Sequence, residues 1–171
     1  MYKFFGGFIA VFVVLSFFLL PTSAAFAQSK PFQLSLTPDM AIHDSDVRIE
    51  GLSLGLWSEN PQDALSLGIV SGSSGKSAGF SWSFLLNYAD SYKGVHWASV
   101  NYTKDYFFGW QGGFLNYAQK LKGLQLGMAN FAERVDTGLQ IGFVNVISEN
   151  QWFKQFPDEL AKGMVLVNWS F

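Results

Sequence analysis

The feature that most constrains this chain is a repeat. Units GLSLGLWSEN, ALSLGIVSGS, GFSWSFLLNY, GVHWASVNYT, GWQGGFLNYA, GLQLGMANFA and GLQIGFVNVI start at residues 51, 64, 79, 94, 109, 123 and 138. A degenerate unit, GMVLVNWSF, closes the chain from 163. A fixed short period means that one supersecondary unit is copied along the molecule. Within each unit large apolar residues alternate with small or weakly polar ones. Leu124, Leu126 and Met128 fall on one face, and Gln125, Gly127 and Ala129 on the other. Period two is the strand period; a helix would smear these apolar residues around its whole circumference.

The charges sharpen the reading. From Ala64 to Thr137 every Asp, Glu, Lys and Arg falls between these alternating runs: Lys76, Asp90, Lys93, Lys104, Asp105, Lys120, Lys122, Glu133, Arg134 and Asp136. A sheet with one wet face normally carries charge or threonine there, so both faces of these strands are expected to be sheltered from water. Strands of nine or ten residues joined by turns of four to six match the length that crosses a bilayer, and in lipid the backbone must close its hydrogen bonds on itself. The expectation is therefore an all-β fold, an antiparallel meander of 14–15-residue strand-turn units. It would close as a small outer-membrane barrel of eight strands, or nine if 32–37 joins the sheet. Tyr88, Tyr92, Tyr102, Tyr106, Tyr117 and Phe131 would form its interfacial girdle. The rival is a soluble, secreted or periplasmic β-repeat binding protein, in which units stack as a solenoid around a continuous core.

The ends set the compartment. Lys3, an apolar run from Phe4 to Leu20, Pro21 and the small-x-small site Ala25-Phe26-Ala27 read as a secretory signal peptide over 1–27, cut before Gln28. Segment 28–46 then carries a short strand, and 47–171 is the repeat domain. The C-terminal Val165, Val167, Trp169 and Phe171 alternate like the last strand of bacterial outer-membrane barrels, the strand that the assembly machinery reads. The expected partners are accordingly outer-membrane lipid and that machinery, at the outer membrane or cell surface. With no cysteine there is no disulfide, thiolate nucleophile or lipoprotein anchor. A net charge of −2 without a basic patch argues against nucleic acid.

The template residues have structural readings first. Gly55, Gly68, Gly113, Gly127 and Gly142 sit inside strands, where glycine signals a crowded neighbour. Asn87, Asn101, Asn116, Asn130 and Asn145 sit where strand gives way to turn, a place asparagine tolerates; a sugar-binding polar ladder is the functional alternative. No cofactor, metal site or catalytic residue is expected. His96 and Ser99 lie on opposite faces of one strand, and Asp105 follows, so a lipid-modifying triad is disfavoured. A narrow channel is disfavoured too, for want of a charged lumen. His43 with Asp44 and Asp46 reads as a solvated loop rather than a cation site. The one break in the repeat is 147–162. There Ser148 and Gln151 have capping-box spacing, and Trp152, Phe153 and Phe156 precede Pro157, which reads as a short helix or structured loop.

The G-L-Q-[LI]-G-x-x-N pattern followed by NYA or NFA, with FQLSLTP at 32–38 ahead of it, resembles a family of bacterial surface-repeat proteins with tandem GLQLGLVN units behind a signal peptide. The resemblance covers Phe32 to Phe171. It implies an envelope location and a repeat β architecture, and it transfers no catalytic residue. Ala64 and Ser71 depart from the template, as does Ala98. Asn87 comes one residue late, which suggests a bulge.

Overall fold

A computed structural model gives the architecture and describes residues 29–151 and 158–171. The signal-peptide reading, with Ala25, Ala27 and Gln28, lies outside the described residues, as do Trp152, Phe153, Phe156 and Pro157. The elements are β1 (Lys30–Thr37), β2 (Met40–Ala41), β3 (Ile49–Glu59), β4 (Asp63–Trp97), β5 (Val100–Gly112), β6 (Leu115–Leu126), β7 (Ala129–Ile147), the short helix α1 (Asp158–Lys162) and β8 (Gly163–Ser170). The helix falls inside the segment that breaks the repeat.

The chain is all-β, but it is not an antiparallel meander and does not close as a barrel. Strands β1 and β3, β3 and β4, β4 and β5, β5 and β6, and β6 and β7 pair in parallel. Only β1–β2 and β7–β8, at the two ends, are antiparallel. This is a parallel β-solenoid. The physical reason lies in the charged segments. They are not turns: Glu133, Arg134 and Asp136 sit within β7. Each repeat therefore holds two strand segments, one before and one after its asparagine, and makes a full circuit. Equivalent residues then lie directly above one another, Gly109 on Gly123 on Gly138 and Asn101 on Asn116 on Asn130. The 35-residue β4 stacks on itself in the same way, with Gly79 against the backbone of Ala64 and Gly94 against that of Gly79.

The first segment of a circuit points Gln125 inward and Leu124, Leu126 and Met128 outward. The second points Asn130, Ala132 and Val135 inward and Phe131, Glu133, Arg134 and Asp136 outward. The small, weakly polar face is thus the interior. It holds one apolar cluster of Ala89, Tyr92, Phe107, Ala118, Leu121, Ala132, Val135 and Ile147; the remaining buried side chains are largely Ser, Asn and Gln. Tyr92 belongs to this cluster and not to a girdle. Tyr88, Tyr102, Tyr117 and Phe131 instead form one outward column, with Tyr102 and Tyr117 stacked at 5.1 Å.

Such an interior stands only if its amides satisfy one another. Asn87, Asn101, Asn116 and Asn130 each donate through Nδ2 to the Oδ1 of the next asparagine up the stack, at 3.1, 2.8, 2.8 and 2.8 Å. Their second amide hydrogen goes to a backbone carbonyl, that of Leu126 for Asn116. Gln140 and Gln125 donate down the stack to Gln125 and Gln111, at 2.8 and 2.7 Å. The two ladders therefore run their amide dipoles in opposite senses. All five asparagines are fully buried, so the polar ladder exists but cannot reach a sugar. Asn116→Ala would strand one Asn101 amide hydrogen and the Asn130 oxygen, while the Leu126 carbonyl keeps the Gly113 N–H at 3.0 Å. At about 1–3 kcal/mol for each buried group left unpaired, a loss of about 2 kcal/mol or more is expected in urea unfolding.

Candidate functional site

Turning the small polar residues inward leaves the large apolar ones outside. Register defines two outward columns: Phe32, Leu52, Leu65, Phe80, Val95, Trp110, Leu124, Leu139 and Trp169, and beside it Leu34, Leu54, Leu67, Trp82, Trp97, Gly112, Leu126, Ile141 and Val167. A third follows two residues on, with Leu56, Ile69, Phe84, Phe114, Met128, Phe143 and Val165 all exposed. None of these positions carries a charge. With rungs about 4.8 Å apart and about 3.3 Å per residue, the face is about 38 Å by 15 Å, on the order of 600 Å² in projection. That is at the top of what a monomer exposes without a partner. The backbone beneath it is engaged in the parallel ladders, so nothing polar is left open along the face except at its two ends.

The face is interrupted at one place. Ser99 and Gly112 are the only small residues in the three columns, and they lie near each other. Above them opens a groove of about 510 Å³, walled by Trp82, Phe84, Trp97, Trp110, Phe114 and Met128. Trp97 and Trp110 meet edge to face at 5.3 Å. A Cβ on Gly112 would come 3.4 Å from the Trp97 ring and 3.5 Å from Trp110 Nε1. That Nε1–H is buried and has no acceptor in the described protein. The Ser99 hydroxyl is already committed, donating to the Phe84 carbonyl at 2.7 Å. The groove is therefore apolar, with one unused donor in its wall. The alternation of the sequence predicts the apolar strand face. The groove is a two-residue lapse, visible only once the columns are aligned.

One long edge of the face is basic at the level of the groove. Lys93, Phe108 and Lys122 are stacked neighbours in the register, each immediately before a corner glycine. The two ammonium groups lie 5.6 and 5.4 Å from the centre of the Phe108 ring, close enough for a cation–π contact.

The other candidates come apart. His96 is buried in the interior, Ser99 lies on the outer face, and Asp105 is exposed on the charged second segment of a circuit, within β5, so no triad forms. The His43 loop is held by its backbone: Gln33 Nε2 donates to the His43 carbonyl at 2.8 Å, and Asn60 Nδ2 to the Asp44 carbonyl at 2.9 Å. Among the described residues no group of three His, Asp or Glu could hold a metal ion. The glycines are crowded by the rung beneath; a Cβ on Gly113 or Gly142 would fall 1.9 Å from a backbone oxygen. Val165, Val167 and Trp169 form the last strand, antiparallel to β7, with Asn168 turned inward to Asn150 at 3.0 Å; Phe171 is exposed. Among the described residues no helix is long and apolar enough to cross a membrane. No protein-family model matches the chain, and neither a curated protein nor a solved structure matches it.

Proposed function

We propose that this protein is an exported, non-catalytic scaffold of the bacterial envelope that lies on a lipid surface through its apolar sheet. The observation that carries the reading is the inversion of the fold: a hydrogen-bonded polar interior and a broad outer face of Leu, Ile, Phe and Trp without charge. Hydrocarbon suits such a face, because a sheet with paired backbone presents no unmet donor to lipid. Trp and Phe on the face and lysine at its rim match an interfacial protein. Burying about 600 Å² is worth on the order of 15 kcal/mol gross, a surplus that survives the costs of association. The leader-like N-terminus and the likeness to the surface-repeat family support export and an envelope location. The separation of His96, Ser99 and Asp105 removes the lipid-modifying triad as a rival.

The test is flotation of the processed protein with phosphatidylcholine–phosphatidylglycerol vesicles. The wild type is expected to float. The double variant Leu126→Glu, Ile141→Glu, with two carboxylates in the middle column of the face, is expected to bind at least tenfold more weakly. Its melting should be unchanged, because neither side chain is interior. A wild-type protein that stays at the bottom of the gradient as a monomer overturns the reading. So does a stable face-to-face dimer that excludes vesicles.

A further inference from the structure

We propose that the groove over Ser99 and Gly112 takes one acyl chain of an anionic lipid, whose headgroup sits against Lys93 and Lys122. The inference deepens the lipid-surface reading and rests on it.

Three independent features point to this occupant. The groove is a hole in an otherwise continuous apolar array. It runs from Phe84 past Ser99 and Phe114 to Met128, three rung spacings or about 14 Å, and has the volume of a small-molecule site rather than of a packing defect. Its walls are aromatic and aliphatic and the donor of its hydroxyl is committed, which suits hydrocarbon better than the many hydroxyls of a sugar. The indole N–H of Trp110, buried without an acceptor, is the one group in the wall that gains from an ester or acid oxygen at the chain's head. The charge is then in place: Lys93 and Lys122 flank Phe108, two residues before Trp110 on the same strand, while the face itself has no charge to repel an anion. An amphiphile lying along the strand would place its chain over Gly112 and its head beyond Trp110, at the rim.

Two variants separate the parts. Ser99→Leu with Gly112→Leu fills the groove with a residue type that the neighbouring rungs already carry, and the contacts around Gly112 leave room for a Cβ. Lys93→Gln with Lys122→Gln removes only the rim charge. The probes are dodecyl phosphate and dodecanol below their aggregation limits, with inorganic phosphate as the control, read by tryptophan fluorescence.

For the wild type, saturable one-to-one binding of dodecyl phosphate is expected, with no response to inorganic phosphate. The filled variant is expected to lose at least tenfold in affinity. The lysine variant is expected to bind dodecyl phosphate no better than dodecanol and to lose the salt dependence. Equal binding by the filled variant, or no saturable binding by the wild type, overturns the proposal. Vesicle flotation keeps the two readings apart. A wild type that floats but binds no single chain keeps the surface and loses the groove. One that binds the chain but does not float keeps the groove and loses the surface.

Discussion

Gly109→Ala is expected to remove at least 4 kcal/mol of stability, enough to leave a marginal domain largely unfolded. Two costs coincide at this corner. Gly109 has φ of 138°, a region that side chains rarely adopt, at a cost of about 1–3 kcal/mol. Its Cβ would also lie 2.0 Å from the Gly94 carbonyl oxygen. That oxygen belongs to the rung below, so relief means lifting one circuit off another and stretching the parallel ladder. In a stack where each unit is held by its neighbours, the damage reaches both sides of the rung. Gly75 separates the two costs. It has φ of 60° with nothing within 4 Å of its Cβ, so Gly75→Ala carries only the conformational term, about 1–2 kcal/mol. Urea unfolding of the two variants and the wild type checks this. Equal losses would mean that the rungs are not stacked as closely as the corner glycines require.

The same corner shows what the sequence disclosed and what it hid. Period-two alternation announced strands, and nothing in the structure disputes that. The direction of pairing was harder, because a hairpin meander and a solenoid both recur every 14 or 15 residues. The distinguishing signal was identity rather than period. An antiparallel neighbour would not place Gln125 on Gln140 or Asn116 on Asn130, whereas stacked circuits do, and amide ladders gain from identical residues one rung apart. Reading Asn116 as a turn residue obscured this, and with it the second strand of each circuit. The charges reinforced the error. Glu133 and Arg134 looked like loop residues because they interrupt an apolar run, yet they are outward positions of a strand whose inward positions are Ala132 and Val135. Asn87, one residue late in its unit, still meets Asn101 in register, so the extra residue is absorbed before it.

The face and its groove were half legible. That one side of each strand is large and apolar was plain from Leu124, Leu126 and Met128; that this side is the outside was not. A rule that places hydrophobic residues inside fails where the interior is too narrow for them. The crowding that excludes a Cβ at Gly113, Gly127 and Gly142 also excludes leucine from the same columns. Serine, glutamine and asparagine enter instead because each can pair with its own copy above and below.

His96 is one place where that interior is incomplete, beside the Ser35, Ser53 and Tyr92 hydroxyls and the Gln140 oxygen, and its replacement by glutamine is expected to stabilise the protein and to blunt its sensitivity to acid. His96 stands in the column that continues as Gln111, Gln125 and Gln140. It is buried, tilted at 47° against Tyr92 at 4.0 Å and near Phe107 at 5.2 Å, and neither ring nitrogen has a partner among the described residues. Burial lowers its pKa from 6.5 to about 3. Between those values the unfolded chain binds a proton that the folded chain refuses. Stability therefore rises with pH across this window, and acidification from 6.5 towards 3 removes about 1.4 kcal/mol per pH unit through this residue alone. Above pH 6.5 the histidine is neutral in both states and the slope from it vanishes. Glutamine has a ready place in the column. Gln111, Gln125 and Gln140 each donate to the carbonyl six residues on, those of Tyr117, Phe131 and Val146. A glutamine at 96 would reach the Tyr102 carbonyl by the same geometry, and its oxygen would accept from Gln111 Nε2 in place of the Thr103 hydroxyl, to which that amide now donates at 3.1 Å. Against the lost ring contacts, worth about 0.5–1.5 kcal/mol, two orphaned nitrogens disappear, at about 1–3 kcal/mol for each buried group. The expected gain is about 1 kcal/mol at pH 7. By pH 4.5, two units below 6.5, the gap between the proteins should widen by about 2.7 kcal/mol. Urea unfolding of His96→Gln and wild type at both pH values measures that widening directly, and the carboxylates common to both proteins cancel in the difference. A gap that stays constant with pH would mean that His96 titrates in the folded protein as it does in the unfolded chain, and so that its column is open to water.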